Sequence, residues 1–162
     1  MSPRSILTCV LALLLALGAS SALAQMPNPY GAPISLENAK KAAAAAIAEA
    51  RKINWPMVVV ITDTAGDLVY FEKMDAAQTG SVNLSIDKAR SAVRYKRPTK
   101  IWADLVGGGG DNLRLMALQG IVPSNGGIPL VIDGKIVGAI GLSGGTGAQD
   151  GQCAQAGADA LK

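Results

Sequence analysis

The chain has 162 residues, a formal net charge of +3 and no histidine. The absence of histidine excludes Ser-His-Asp and Cys-His catalysis, histidine metal sites and an imidazole proton switch. Aromatic residues make up 4% of the sequence and the positive charge is small, so we expect neither a stacking surface for bases nor an extended phosphate-binding surface for nucleic acid.

The first 24 residues follow the order of segments that is typical of a secretory signal peptide. Arg4 supplies the positive charge, an apolar run extends from Ile6 to Leu17, and Ala22-Leu23-Ala24 forms a small-residue cleavage site. The apolar run is shorter than the about 20 residues that a membrane-spanning helix needs. We therefore expect cleavage before Gln25, a mature chain without a membrane span, and a periplasmic or secreted location.

Cleavage also changes the cysteine content, because it removes Cys9 and leaves Cys153 as the one cysteine of the mature chain. No intrachain disulfide can then form, although the compartment would permit one. Cys153 is interpreted either as a reactive thiol near the start of the last helix or as a small buried helix residue. The second interpretation is favoured, because no histidine is present to act as its base.

The mature chain begins with a proline-rich stretch, residues 25–33, that predicts a flexible leader. A single domain is expected over residues 34–162. Apolar residues recur at helical spacing after Ser35, which predicts an amphipathic helix over 36–53 with Ser35 as its N-cap. Two β-branched runs, 57–61 and 68–71, are separated by a glycine-containing turn and predict an antiparallel hairpin.

The second half of the domain predicts more helices and a second hairpin. A helix is expected from about Val82 to Lys96, and a short one follows Pro98. The segment 111–122 fits neither the helical nor the strand period. Asp133-Gly134 lies between two apolar runs and predicts a tight hairpin, after which residues 148–161 predict a closing helix. This order indicates an α+β fold in which helices pack on an antiparallel sheet.

The segment from Lys88 to Lys100 is the most unusual part of the sequence, because it contains six basic residues and no acidic one. These residues are Lys88, Arg90, Arg94, Lys96, Arg97 and Lys100. The three arginines are spaced i, i+4 and i+7, which predicts a row of guanidinium groups on one helical face, suited to carboxylates or phosphates. A solvated face or a strip of salt bridges between subunits is the alternative interpretation.

Two further segments have a chemical and a structural interpretation. The backbone N–H groups of Ser143, Gly144 and Gly145 precede a helix and are candidates for holding an anion, whereas the alternative is a tight strand-to-helix connection. The carboxylates around the first hairpin, which belong to Asp63, Asp67, Glu72 and Asp75, match no calcium loop. Turn chemistry explains them, and no metal site is expected.

Several segments together resemble a known family. They are Val58–Asp75, Ala89–Thr99, Gly126–Pro129, Asp133–Gly144 and Asp150–Ala154, which together span nearly the whole mature chain. They are similar to the GlcG/HbpS-type haem-binding family, which includes the C-terminal domain of PduO-type proteins. The resemblance implies a profilin-like α+β fold with about five antiparallel strands flanked by helices, assembled into a homo-oligomer.

The resemblance also implies a haem cofactor and a role in sensing or carrying haem. Some members of the family ligate haem iron through histidine, which this sequence lacks, so Tyr95 and Met116 are the candidate iron ligands. Haem propionates would bind either the row of arginines at 90, 94 and 97 or the two lysines at 96 and 100.

Three functions therefore remain open from the sequence. The first is an exported protein that binds haem or another tetrapyrrole and senses or carries it, which is supported by the resemblance, the export signal and the basic segment. The second is an enzyme or accessory subunit that acts on a small anionic substrate, with arginines orienting it. The third is a non-catalytic interaction module that binds a protein partner without haem.

Overall fold

A computed structural model of the chain describes residues 27–162. The predicted signal peptide lies outside the described residues. The four α-helices of the described part are α1 (Leu36–Lys52), α2 (Ser81–Tyr95), α3 (Lys100–Gly107) and α4 (Gly147–Asp159). The strands are β1 (Val58–Thr62), β2 (Leu68–Lys73), β3 (Gly127–Ile132) and β4 (Lys135–Ser143), and a 3₁₀ helix covers Gly110–Ala117.

The strands form one antiparallel sheet in the order β2-β1-β4-β3. The predicted α+β class and both hairpins are confirmed. The sheet has four strands in the described part of the chain, one fewer than the expected five, and the profilin likeness stays a prediction. The tight turn between β3 and β4 has positive φ at both central residues, 49° at Asp133 and 70° at Gly134, as a two-residue hairpin requires.

Helices cover both faces of the sheet. The first core contains Met57, which precedes β1, and Val59 and Ile61 of β1. These side chains pack against the alanine-rich face of α1 and against α4. The second core contains Val58 and Val60, packed against α2. Successive side chains of a strand point to opposite faces, so the continuous apolar run of β1 results from burial on both sides.

The described residues of the predicted leader form hydrogen bonds with the domain. They run beside the start of β4, where Gly31 donates its N–H to the carbonyl of Ile136 at 2.8 Å and Tyr30 forms an isolated parallel bridge with Ile136. The N–H of Ile136 in turn bonds the carbonyl of Pro29 at 2.8 Å. The hydroxyl of Tyr30 donates to the carbonyl of Val93 at 2.8 Å. The leader is therefore attached to the sheet and to α2.

A close approach between a helix and the sheet lies at Gly141 of β4. A Cβ atom at this position would lie 2.1 Å from the carbonyl oxygen of Ser85 and 2.7 Å from the backbone nitrogen of Ala89. Only a residue without a side chain lets the backbone of α2 lie directly on β4. This contact sets the height of α2 above the sheet.

We predict that Gly141→Ala lowers the free energy of unfolding by about 2 kcal/mol, because the new methyl group pushes α2 away from β4. Urea denaturation followed by circular dichroism measures the change. Gly107→Ala is the matched control, since nothing lies within 4 Å of a Cβ at that position. Equal stability of the Gly141→Ala variant and the parent would contradict the close packing.

Candidate functional site

A lysine and an aspartate form a buried ion pair between the sheet and two helices. Lys88 Nζ lies 2.6 Å from Asp150 Oδ2, and the two side chains are 0% and 3% exposed. Lys88 also donates to the carbonyl of Leu142 at 3.1 Å. The other carboxylate oxygen, Asp150 Oδ1, accepts the N–H of Gly145 at 3.0 Å. The pair thereby joins α2, the end of β4 and the first turn of α4.

Burial and the neighbouring charge have opposite effects on the ionisation of Lys88. Burial lowers the pKa of the Lys88 ammonium, while the hydrogen bond and the charge of Asp150 raise it. A buried ion pair offsets its desolvation only when the geometry is good and the remaining hydrogen-bonding positions are filled. The bond to Leu142 gives the ammonium a second acceptor and the bond from Gly145 gives the carboxylate a second donor, so we assign this pair a structural role.

Lys88 belongs to the basic segment of the sequence, whereas Asp150 is not among the predicted site residues. A signal was present, because Ser81, Ser85, Lys88 and Ala92 are spaced i, i+4, i+7 and i+11 and share the buried face of α2. A lysine at that position of an amphipathic helix needs a buried partner. The position of the partner, 62 residues further along the chain, is not visible in the sequence.

The predicted anion loop holds a carboxylate of the chain itself. Gly145 donates its N–H to Asp150, and Ser143 Oγ donates to Ser81 Oγ at 3.1 Å inside the core. Gly144 lies against the backbone of the segment before β1, where a Cβ would be 2.2 Å from the Pro56 carbonyl oxygen. These contacts correspond to the alternative interpretation, a tight strand-to-helix connection.

The predicted single row of arginines is wrong, because α2 ends too early. The helix stops at Tyr95, and Lys96 adopts a left-handed conformation with φ 53°. Arg90 and Arg94 share the outer face of the helix and line one groove. Arg97 lies beyond the left-handed residue and turns to a different side.

Arg97 and Tyr95 belong to a small aromatic cluster with Trp102. The guanidinium carbon of Arg97 lies 5.1 Å from the Trp102 ring centroid, and its Nε donates to the Tyr95 carbonyl at 3.0 Å. The Tyr95 ring meets Trp102 edge to face at 5.2 Å, and the Tyr95 hydroxyl donates to the carbonyl of Gln119 at 2.7 Å. Both polar groups are thus engaged within the chain.

The remaining predicted site residues lie apart from this cluster. Lys100 is exposed and forms a salt bridge of 2.6 Å with Asp104, one turn along α3. Met116 is 62% exposed on the 3₁₀ helix. Cys153 is fully buried, and burial together with the charges of Glu49 and Asp150 raises the pKa of its thiol to about 11. A thiol with this pKa is a poor nucleophile, in agreement with the buried-residue interpretation.

Lys96 lines an apolar groove of about 310 Å³, which we call the Lys96 groove. Its ammonium also lies 4.2 Å from the centroid of the Tyr30 ring. The groove is lined by Pro27, Asn28, Lys96, Pro98, Ile128, Pro129, Val131 and Ile136. Apolar walls with few polar groups are typical of binding sites for organic molecules.

A second groove of about 290 Å³ lies on the outer face of α2, and we call it the arginine groove. Its lining residues are Asp87, Arg90, Arg94, Gly120, Ile121 and Val122. Within residues 27–162, no group of three or more His, Cys, Asp or Glu side chains is arranged to hold a metal ion. No described helix is both long enough and apolar enough to cross a bilayer.

Comparison with known proteins defines the class of this fold. The family model described as "Haem degrading protein HbpS-like" matches residues 34–159. GlcG of Escherichia coli strain K12 is 37% identical over 110 residues, which cover 68% of this chain and 81% of GlcG. The chain therefore belongs to the HbpS-like family, and the resemblance found in the sequence is confirmed.

Two solved structures are similar to the whole domain. A double mutant of HbpS from Streptomyces reticuli has a TM-score of 0.73 and 31% identity, and the match covers 82% of this chain and 89% of that one. The PduOC:heme complex has a TM-score of 0.72 and 30% identity, with 80% of this chain and 96% of that chain covered.

We predict that Lys88→Met lowers the free energy of unfolding by about 3 kcal/mol, because it leaves the Asp150 carboxylate buried without its partner. Chemical denaturation of the purified protein measures the loss. Lys100→Met is the matched control, since it breaks an exposed pair that contributes about 0.5 kcal/mol. The double variant Lys88→Met/Asp150→Leu should recover part of the loss. An equal, small effect of both single variants would contradict the role of the buried pair.

Proposed function

We propose that this chain is an exported haem-binding protein that senses or carries haem, and that the Lys96 groove holds the macrocycle. Membership of the HbpS-like family and the haem complex of a related domain support haem as the ligand. The observation that carries the choice of site is the Lys96 groove itself, which combines apolar walls with one ammonium group.

The groove fits two of the three chemical parts of haem. The apolar ring can pack against Pro98, Ile128 and Val131, which line the groove. A propionate can form a charge-assisted hydrogen bond with the ammonium of Lys96. The left-handed backbone at Lys96 places this side chain at the end of α2, where the helix C-terminus also favours a cation.

The third part, the iron, has no ligand ready in this groove. The sequence contains no histidine, and none of the residues that line the groove carries a thiol, thioether or phenol group. Of the predicted ligands, the Tyr95 hydroxyl bonds the carbonyl of Gln119 and Met116 lies on the 3₁₀ helix outside the lining. The residues therefore fit the ring and the carboxylates, and they do not fit iron ligation.

This partial fit favours a carrier or sensor, since haem held without a strong iron ligand can exchange readily. A homo-oligomer is part of the proposal, because a second copy over the open side of the groove would enclose the ring. The proposal also includes a protein partner that receives haem or responds to the haem-bound state. An exported location follows from the predicted signal peptide.

We predict that haemin and iron-free protoporphyrin bind residues 25–162 with dissociation constants within about threefold of each other, because the groove contributes no iron ligand. Titrations followed by absorbance and by tryptophan fluorescence measure both. Lys96→Asn should weaken both ligands about tenfold through loss of the propionate contact; asparagine tolerates the left-handed backbone.

Arg94→Gln is the matched control for this titration, because it removes one charge from the same helix outside the Lys96 groove. If Arg94→Gln weakens haemin binding and Lys96→Asn does not, haem binds the arginine groove instead. If haemin binds much more tightly than protoporphyrin, and Tyr95→Phe or Met116→Leu removes the difference, the predicted iron ligand is correct and the ring-only mode is wrong.

The family description also names degradation, which is the second candidate function. The same haemin complex is therefore followed over hours with and without a reductant. A Soret band that persists as long as that of free haemin in buffer supports sensing or carriage. Faster loss of the band with the protein present supports degradation.

We predict that the chain expressed in a Gram-negative host is exported and cleaved after Ala24, because residues 1–24 have the segment order of a signal peptide. Mass spectrometry of the periplasmic fraction should find a protein that begins at Gln25. Replacement of Leu13 and Leu14 by aspartate should retain the precursor inside the cell. Retention of the uncleaved parent chain would contradict the export proposal.

A further inference from the structure

The arginine groove is separate from the proposed haem site and has a different set of lining residues and charges. It shares no lining residue with the Lys96 groove. Two of its residues, Arg90 and Arg94, lie one helical turn apart on the outer face of α2. The other wall is formed by residues 120–122, which precede β3.

The turn of the first hairpin supports the two arginine side chains from one side. Arg90 Nε donates to the carbonyl of Gly66 at 3.1 Å. A Cβ at Gly66 would lie 3.4 Å from Arg90 Cγ and 3.6 Å from Arg94 Nε. The turn therefore bonds Arg90 and lies beside Arg94, and no hydrogen bond of the described structure uses a terminal guanidinium nitrogen of either residue.

The opposite wall is attached to α2 at two points. The N–H of Val122 donates to Ser91 Oγ at 3.1 Å, and the carbonyl of Gln119 accepts the hydroxyl of Tyr95. Ile121 and Val122 give this wall an apolar surface, and both are partly buried. The groove thus has one side with guanidinium groups and one apolar side. The hydrogen bond to Gly66 positions the first side, and the hydrogen bonds to Ser91 and Tyr95 position the second.

The charges of the groove are incompletely compensated. Neither Arg90 nor Arg94 forms a salt bridge within the described part of the chain. Like charges one turn apart on a helix repel each other by a few tenths of a kcal/mol. Asp87 is the one carboxylate in the lining, so the lining keeps a net charge of +1. An anion that enters would be attracted by two guanidiniums and repelled by one carboxylate.

We propose that the arginine groove binds a small organic dicarboxylate, one carboxylate on each guanidinium, with the carbon chain of the ligand against Ile121 and Val122. Guanidinium groups bind carboxylates through paired hydrogen bonds. The apolar wall and the volume of about 290 Å³ favour an organic acid over inorganic phosphate, which needs neither. The proposal goes beyond haem binding and does not depend on it.

Calorimetric titration of residues 25–162 with succinate at low ionic strength tests the site. We expect saturable binding that Arg94→Gln weakens roughly tenfold, the usual effect of losing a charge-assisted pair of hydrogen bonds. Arg94→Lys should restore little of it, because lysine keeps the charge and lacks the fork. Asp87→Asn should tighten binding, since it removes the opposing carboxylate.

Arg51→Gln is the matched control, because it removes the same charge from an exposed position on α1. Arg94 is exposed and its side chain forms no hydrogen bond in the described structure, so Arg94→Gln should keep the parent melting temperature. Lys96→Asn should leave succinate binding unchanged, which separates this site from the proposed haem site.

Three results would overturn the proposal. The first is the absence of saturable succinate binding by the parent protein. The second is an equal loss of affinity in Arg94→Gln and Arg51→Gln, which would indicate attraction by net charge alone. The third is saturable binding of inorganic phosphate in the same titration with none of succinate, which would show that the ligand class is wrong.

Discussion

The buried pair of Lys88 and Asp150 is the interaction on which the arrangement of the other elements depends. It joins α2, β4 and the first turn of α4 through one ammonium and one carboxylate. Because each charge is desolvated, neither can lose its partner without a large cost. The pair also uses the backbone donor of Gly145, so this N–H is already occupied by a carboxylate of the chain itself.

Helix α2 separates the basic residues into different environments. Its inner face buries Lys88, its outer face presents Arg90 and Arg94 to a groove, and its left-handed end directs Lys96 to another groove. The change of hand at Lys96 also sends Arg97 onto an aromatic ring. The basic residues of one sequence segment thus have different roles. Lys88 forms a structural ion pair, and the others include residues of two candidate binding grooves.

The leader lies between the predicted cleavage site and the remaining walls of the proposed haem site. Pro27 and Asn28 line the Lys96 groove, and the Tyr30 ring lies beside the Lys96 ammonium. Hydrogen bonds to β4 hold the leader in this position. The predicted cleavage after Ala24 would leave two residues ahead of this wall, so the predicted cleavage site and the groove lie close together in the chain.

The sequence by itself determined the α+β class, both hairpins, the bounds of most helices within one or two residues, and the family, because local periodicity and turn residues encode them. Only the tertiary structure decided which basic residues act together. One residue in a left-handed conformation ends the arginine row, and a partner 62 residues away takes Lys88 into the core. Such outcomes depend on the packing of segments that are distant in sequence, and no local pattern contains that information.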